Sequence, residues 1–150
     1  MNIVLIVLLV LIALFAVLRA VVIPNAPAKA LGVTADGTLQ PCPATPNCVS
    51  SQTDKVSAYV APLSLESDDV DEAMARVRNV LPQIGPNHIV TETPDYLHAV
   101  FVTPLMGYRD DVEFLLDRAN GVIHIRSASR LGRKDFDVNR TRVEAIRSAL

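Results

Sequence analysis

The chain of 150 residues carries 14 basic and 16 acidic side chains. Two of the bases, Arg19 and Lys29, fall within the first thirty residues, so the remainder is net −4, with 12 bases against 16 acids. That balance argues against a general nucleic-acid-binding surface, which needs a basic face, and the lack of tryptophan argues against a stacking platform for bases.

Met1 to Leu18 holds no charged side chain, and the apolar character resumes after Arg19 through Ile23. Some twenty residues at about 1.5 Å of rise each match the roughly 30 Å of a hydrocarbon core. Residues 1–23 are therefore expected to be a transmembrane anchor or a signal. A buried core helix is disfavoured, because so small a domain has too little to pack around a helix that is apolar on all sides. Ala28-Lys29-Ala30 fits a small-x-small cleavage site. Yet no basic segment precedes the run and the gap after Leu18 is long, so an uncleaved anchor is preferred. No cysteine follows the run to take a lipid, and a bacterial lipoprotein is not expected. Arg19 and Lys29 after the span favour a cytoplasmic C-terminal side; the cysteines favour the opposite one.

Residues 24–40, rich in Ala, Pro and Gly, read as a linker, and 41–150 as a single domain. That domain opens on Pro41-Cys42-Pro43-Ala44-Thr45-Pro46-Asn47-Cys48-Val49-Ser50-Ser51. Prolines stiffen this loop enough to bring Cys42 and Cys48 to disulfide distance. The leader and the even cysteine count favour a structural bridge. A reactive thiol stays open, though the spacing is not Cys-x-x-Cys. So does a zinc site, though the spacing and the scattered histidines fit it poorly. Ser50 and Ser51 read as turn caps before they read as nucleophiles.

Val56 to Leu63 reads as an edge strand ending near Pro62. Ser67 is the expected N-cap of a helix with Asp68, Asp69, Asp71 and Glu72 in its first turn. Val70, Ala73, Met74, Val77 and Leu81 form its apolar stripe, and Pro82 and Gly85 are expected to end it. His88–Thr93 and Tyr96–Thr103 read as strands joined at Pro94-Asp95. Asp111 to Asp117 alternates, with Val112, Phe114 and Leu116 inward and Asp111, Glu113 and Asp117 outward. After Arg118-Ala119-Asn120-Gly121, Val122 to Ser129 alternates again. Matching apolar faces pairs Phe114 with Ile125 and Leu116 with Ile123, which sets Glu113 opposite Arg126 and Leu115 opposite His124. A last helix carries Asn139, Val143, Ile146 and Leu150 on one side. The fold class is α+β: an antiparallel sheet of about five strands with two helices on one face, behind an N-terminal transmembrane helix. The other face, with His98, Glu113, His124 and Arg126, is expected to be partly wet or covered by the cysteine loop.

Pro-Cys-Pro-x-x-Pro-Asn-Cys-Val-Ser-Ser at 41–51, Asp-Asp-Val-Glu-Phe at 110–114 and Arg-Ser-Ala-Ser-Arg-x-Gly-x-x-Asp-x-x-Val-Asn-Arg-x-Arg-Val-Glu-x-Ile-Arg at 126–147 together resemble the family known as domain of unknown function 1499. The resemblance covers essentially everything after about Leu39. It implies an extracytoplasmic or plastid-type setting, often behind a leader or lipid anchor, and no established activity. The matching positions include Cys42, Pro46, Asn47, Cys48, Gly132, Asp135, Asn139, Glu144 and Arg147, besides the arginines and serines below. The implied setting places the domain outside the cytoplasm, in a periplasm or an equivalent compartment.

Arg126, Arg130, Arg133, Lys134, Arg140 and Arg142 fall within seventeen residues. Guanidinium forks beside a helix start suit a phosphate or carboxylate, with Ser127 and Ser129 as neutral donors. The candidate anion site is therefore Arg126, Ser127, Ser129, Arg130, Arg140 and Arg142, its ligand a small anion or a lipid head group of the tethering bilayer. The competing reading pairs these arginines with Asp110, Asp111, Glu113 and Asp135, with Arg140 on Glu144 at i,i+4, and lets Asn139 satisfy loop backbone groups. Structural ion-pair networks are the commoner of the two. No cofactor and no nucleic-acid partner are expected. A binding or scaffold module is preferred to an enzyme; the catalytic alternative is a small hydrolase or thiol enzyme using His124 or His98 with Ser50 or Cys48.

Overall fold

A computed structural model describes residues 2–64 and 72–150. The expected Ser67 cap, its acidic turn at Asp68, Asp69 and Asp71, and Val70 lie outside those residues. Helix α1 (Ile3–Val17) runs on through a π-helical turn (Leu18–Val22). Ile3–Val22 is long and apolar enough to cross a membrane. Strands β1 (Cys48–Ser50), β2 (Leu63–Ser64), β3 (Asn87–Glu92), β4 (Tyr96–Val102), β5 (Arg109–Asp117) and β6 (Val122–Ser129) make one antiparallel sheet, with helices α2 (Ala73–Ile84) and α3 (Val138–Ala149). The strand order is β1-β6-β5-β4-β3, and β2 pairs with β6 on the same side as β1.

Period-two alternation fixes the register of the central strands as expected: Phe114 pairs with Ile125, Leu116 with Ile123, Glu113 with Arg126 and Leu115 with His124. One face carries Leu97, Ala99, Val112, Phe114, Ile123 and Ile125 into a core with Met74, Val77, Leu81, Val143 and Ile146. Each of these side chains larger than alanine contributes roughly 1.5–3 kcal/mol by leaving water. Leu150, expected on the buried stripe of α3, is instead 42% exposed at the helix end.

Two further local expectations need correction. Val56–Leu63 is not one strand. It splits into a 3₁₀ turn (Val56–Ala58) and the two-residue β2, because arginine side chains take its carbonyls. Arg140 Nη1 and Nη2 donate to Tyr59 O and Ser57 O at 2.8 and 3.0 Å, and Arg147 donates to Pro62 O and Ala61 O at 2.7 and 2.6 Å. The place at the sheet edge goes to Cys48–Ser50, which brings the strands to six among the described residues. Pro82 does not end α2 but lies inside its last turn, ahead of the Gly85 C-cap; so late in a helix the missing N–H costs a single intrahelical bond.

The second face of the sheet is covered over its centre and stays partly wet at His124 and along β3. A strap formed by residues 29–40 crosses it. Gly32 N donates to Glu113 Oε1 at 2.6 Å, Leu39 is buried with its N–H on Gln52 Oε1, and Lys29 Nζ donates to Asn47 Oδ1 at 3.0 Å. Asp111, Glu113 and Arg126, read from alternation as outward, are consequently inaccessible.

Candidate functional site

Alternation along β6 divides the arginine region between the two sheet faces, so its members do not form one site. On the strap face, fully buried Arg126 donates through Nη1 to Glu113 Oε2 at 2.5 Å. Glu113 also accepts from Tyr96 Oη at 2.8 Å. Burial first, and then the charge and hydrogen bond of Glu113, raise the Tyr96 phenol well above its ordinary value. Arg126 Nε and Nη2 are buried without a hydrogen bond to the described residues. Arg130 makes a two-pronged bond to Asp111 at 3.0 and 2.8 Å, and His98 Nε2 lies 2.9 Å from the same carboxylate. Burial would raise the Asp111 carboxyl, but the hydrogen bonds from His98 and Arg130 outweigh it and hold the group below its usual value. The Lys29 ammonium is lowered, by burial first and then by the Arg126 charge.

On the helix face, Asn139 is the hub and is fully buried. Its Oδ1 accepts from Ser127 Oγ at 2.6 Å and Arg142 Nη1 at 2.8 Å; its Nδ2 donates to Asp135 Oδ2 at 2.7 Å, Ser129 Oγ at 2.9 Å and Asn47 O at 3.3 Å. Asn47 Nδ2 in turn donates to Leu131 O and Gly132 O at 3.2 and 2.8 Å. Arg142 closes the network on Asp110 Oδ2 at 2.6 Å and stacks over Phe101, 4.8 Å from the ring centre. Asp135 Oδ2 accepts from Asn139 N at 3.0 Å, so a side chain of the loop already occupies the start of α3. The residues of the two long motifs thus interlock the cysteine loop, the basic loop and α3.

Arg126, Arg130 and Arg142 are each committed to a carboxylate, and Ser127 and Ser129 to Asn139. Arg140 sits apart, on the backbone of residues 57–59. Its expected i,i+4 pair with Glu144 does not form: Glu144 Oε2 accepts from Arg147 Nε at 3.0 Å, one residue closer. Cys42 and Cys48 are bonded, with Cα atoms 5.7 Å apart. Among the described residues no group of His, Cys, Asp and Glu is placed to hold a metal ion.

Of the catalytic candidates, Cys48 is in the disulfide, His98 is buried on Asp111, and Ser50 Oγ accepts from Gln52 N at 3.1 Å. His124 meets the next serine: its Nδ1 lies 3.2 Å from Ser51 Oγ, and its Nε2 lies 3.5 Å from Asp117 Oδ2. Ser51 Oγ also accepts from Ile125 N at 2.9 Å. Hydrogen bonds from Asn120, and then the nearby imidazole, lower the Asp117 carboxyl. A recess of about 350 Å³ borders His124, Asp117 and Gln52. Sequence reading missed Lys29, Gly32 and Tyr96 as participants, and read Ser51 as a turn cap before a nucleophile. Only Tyr96 left a signal, since strand alternation puts it on the same face as His98.

Three nearby cations have no carboxylate partner among the described residues: Arg109, Arg133 and Lys134. Arg109 and Lys134 border a cavity of about 460 Å³ at the end of the domain where the apolar helix enters.

These features define a sheet with an apolar helix side, an ionic strap side and motif residues gathered at one end. The chain belongs to the family described as Protein of unknown function (DUF1499), whose model matches residues 38–150. No curated protein and no solved structure matches the chain.

Proposed function

We propose that this protein is a membrane-anchored domain, held outside the cytosol, that binds an anionic ligand and does not catalyse a reaction. The observation that carries the reading is the junction between helix and domain. Arg19 Nε donates to Leu105 O at 2.9 Å, and its guanidinium lies so close to Gly107 (φ +75°) that an added Cβ would sit 2.5 Å from Nη1. Ile23 is fully buried and Ala26 nearly so. Cleavage at Ala28-Lys29-Ala30 would take all three side chains away from the body they pack on, which supports an anchor over a removed signal. The Cys42–Cys48 bridge fits an oxidising compartment. Because Arg126, Arg130 and Arg142 each already hold a carboxylate inside the domain, the anion contact falls to Arg109, Arg133 and Lys134. N-terminal sequencing of the membrane fraction and protease treatment of cells with the outer envelope opened and the inner membrane intact test the reading. An intact leader, an externally cleaved domain and a bridge that resists alkylation are expected. A chain beginning near Leu31, or a domain protected until lysis, contradicts it.

A second reading rests on the Ser51–His124–Asp117 chain, an order of groups suited to nucleophilic hydrolysis. Its test is labelling by a fluorophosphonate. Label on Ser51 that disappears in His124→Ala supports a hydrolase, and an unlabelled protein excludes that use of Ser51.

A further inference from the structure

We infer that the cavity at the helix junction holds one acyl chain of an anionic phospholipid drawn from the anchoring bilayer, with the phosphate on Arg109 and Lys134. The inference rests on the proposed tether and names the ligand that the tethered domain would meet.

The cavity is lined on the helix side by Leu18 and Val22, one helical turn apart at the end of the apolar span, and on the domain side by Tyr108, Leu131, Phe136 and Val138. The carboxylates that line it are already engaged: Asp110 is bonded to Arg142, and Asp135 to Asn139. What remains is a largely apolar slot bordered by two cations, of about 460 Å³, within the roughly 300–1,000 Å³ of ligand sites. A wall made from the last turn of a bilayer-spanning helix opens at head-group level, so the occupant is continuous with the membrane. Of the charges that border the slot, Asp110 is paired with Arg142 and Asp135 is hydrogen-bonded to Asn139, which leaves Arg109 and Lys134 for an anion, with Arg133 next in the loop.

The loop that forms the far wall carries a second signal. Phe136 and Asp137 are consecutive non-glycine residues in the left-handed region, φ 54° and 63°, a backbone state that side chains with a Cβ disfavour. The result is a phenyl ring 91% exposed beside the cavity. Across the same end of the domain Leu105 is 76% exposed. Large apolar side chains held out at the membrane end of a tethered domain are suited to the head-group boundary, where the ring meets lipid and the flanking Arg133 and Lys134 stay at the phosphates.

The test uses the full-length protein purified in detergent, incubated with micelles carrying phosphatidylglycerol or phosphatidylcholine, and read by native mass spectrometry. One phosphatidylglycerol retained per chain is expected, in preference to phosphatidylcholine. Phe136→Asp should reduce retention about tenfold, as loss of one buried aromatic contact implies, and Lys134→Ala should remove the preference between the lipids. Both positions are exposed, and an unchanged melting temperature separates a lost site from a lost fold. An intact, membrane-bound chain that retains no lipid, or equal retention by Phe136→Asp, overturns the acyl site and leaves the anchor standing. Undiminished preference in Lys134→Ala and Arg109→Ala overturns the phosphate contact. A processed, soluble chain overturns the tether and this inference together.

Discussion

On the helix side of the sheet, Phe114, Ile123 and Ile125 leave water against Met74, Val77 and Leu81; on the strap side Glu113 and Arg126, one strand position away and equally inaccessible, are held by charge. The first arrangement tolerates changes of shape if volume is kept. The second does not tolerate loss of either partner, because a buried charge then stands alone. The two sides also divide the family motifs. Arg126 and Arg130 serve the strap face, while Ser127, Ser129, Asn139 and Arg142 serve the helix face, so a single run of sequence stabilises both layers.

The largest contrast is expected from Arg126→Met, which leaves Glu113 buried with its charge and should cost about 3–5 kcal/mol in chemical denaturation. An apolar exchange such as Ile123→Val should cost about 1 kcal/mol. Asn139→Ala removes the hub of the helix-face network and strands Ser127, Ser129 and Arg142 together; a loss of about 3 kcal/mol is expected, with faster proteolysis of the 131–137 loop as a second readout. Acid sharpens the comparison further. The Asp111 carboxyl is held below its usual value in the folded state, so its contribution is complete above the unfolded value near about 4 and disappears as pH falls through the folded one. Asp111→Asn should therefore be less stable than the unaltered chain at neutral pH, and the gap should narrow below about pH 4. The smallest effect is expected from Arg133→Ala with Lys134→Ala, within about 0.5 kcal/mol, because neither side chain has a carboxylate partner among the described residues.

The central hairpin was legible because Phe114, Leu116, Ile123 and Ile125 repeat every second residue, and a slip by one would have turned all four to the other face. The same alternation misled on Asp111 and Glu113. It states which face a residue takes, not whether that face is wet, and the strap that covers it is an aperiodic stretch whose Gly32 N–H and Lys29 ammonium carry no pattern. Val56–Leu63 has strand composition, yet its carbonyls are claimed by Arg140 and Arg147 from more than eighty residues away, which no local window records. The arginines were visible as a cluster and were read as one site; the β6 alternation already separated Arg126 from Ser127, and the pairing of Arg142 with Asp110 needed α3 in place. His124 was paired with Ser50 in the sequence reading; the β1–β6 register instead brings Ser51 to it.

The buried pair itself offers the most direct test. Unfolding free energies of the unaltered chain, Glu113→Leu, Arg126→Met and the double variant form a cycle. The expected result is that each single change costs about 3 kcal/mol or more and that the double variant regains at least about 2 kcal/mol of the summed loss. Losses that simply add, with Arg126→Met costing under about 1 kcal/mol, would show that the arginine is not held by Glu113 and would contradict a strap face built on ion pairs.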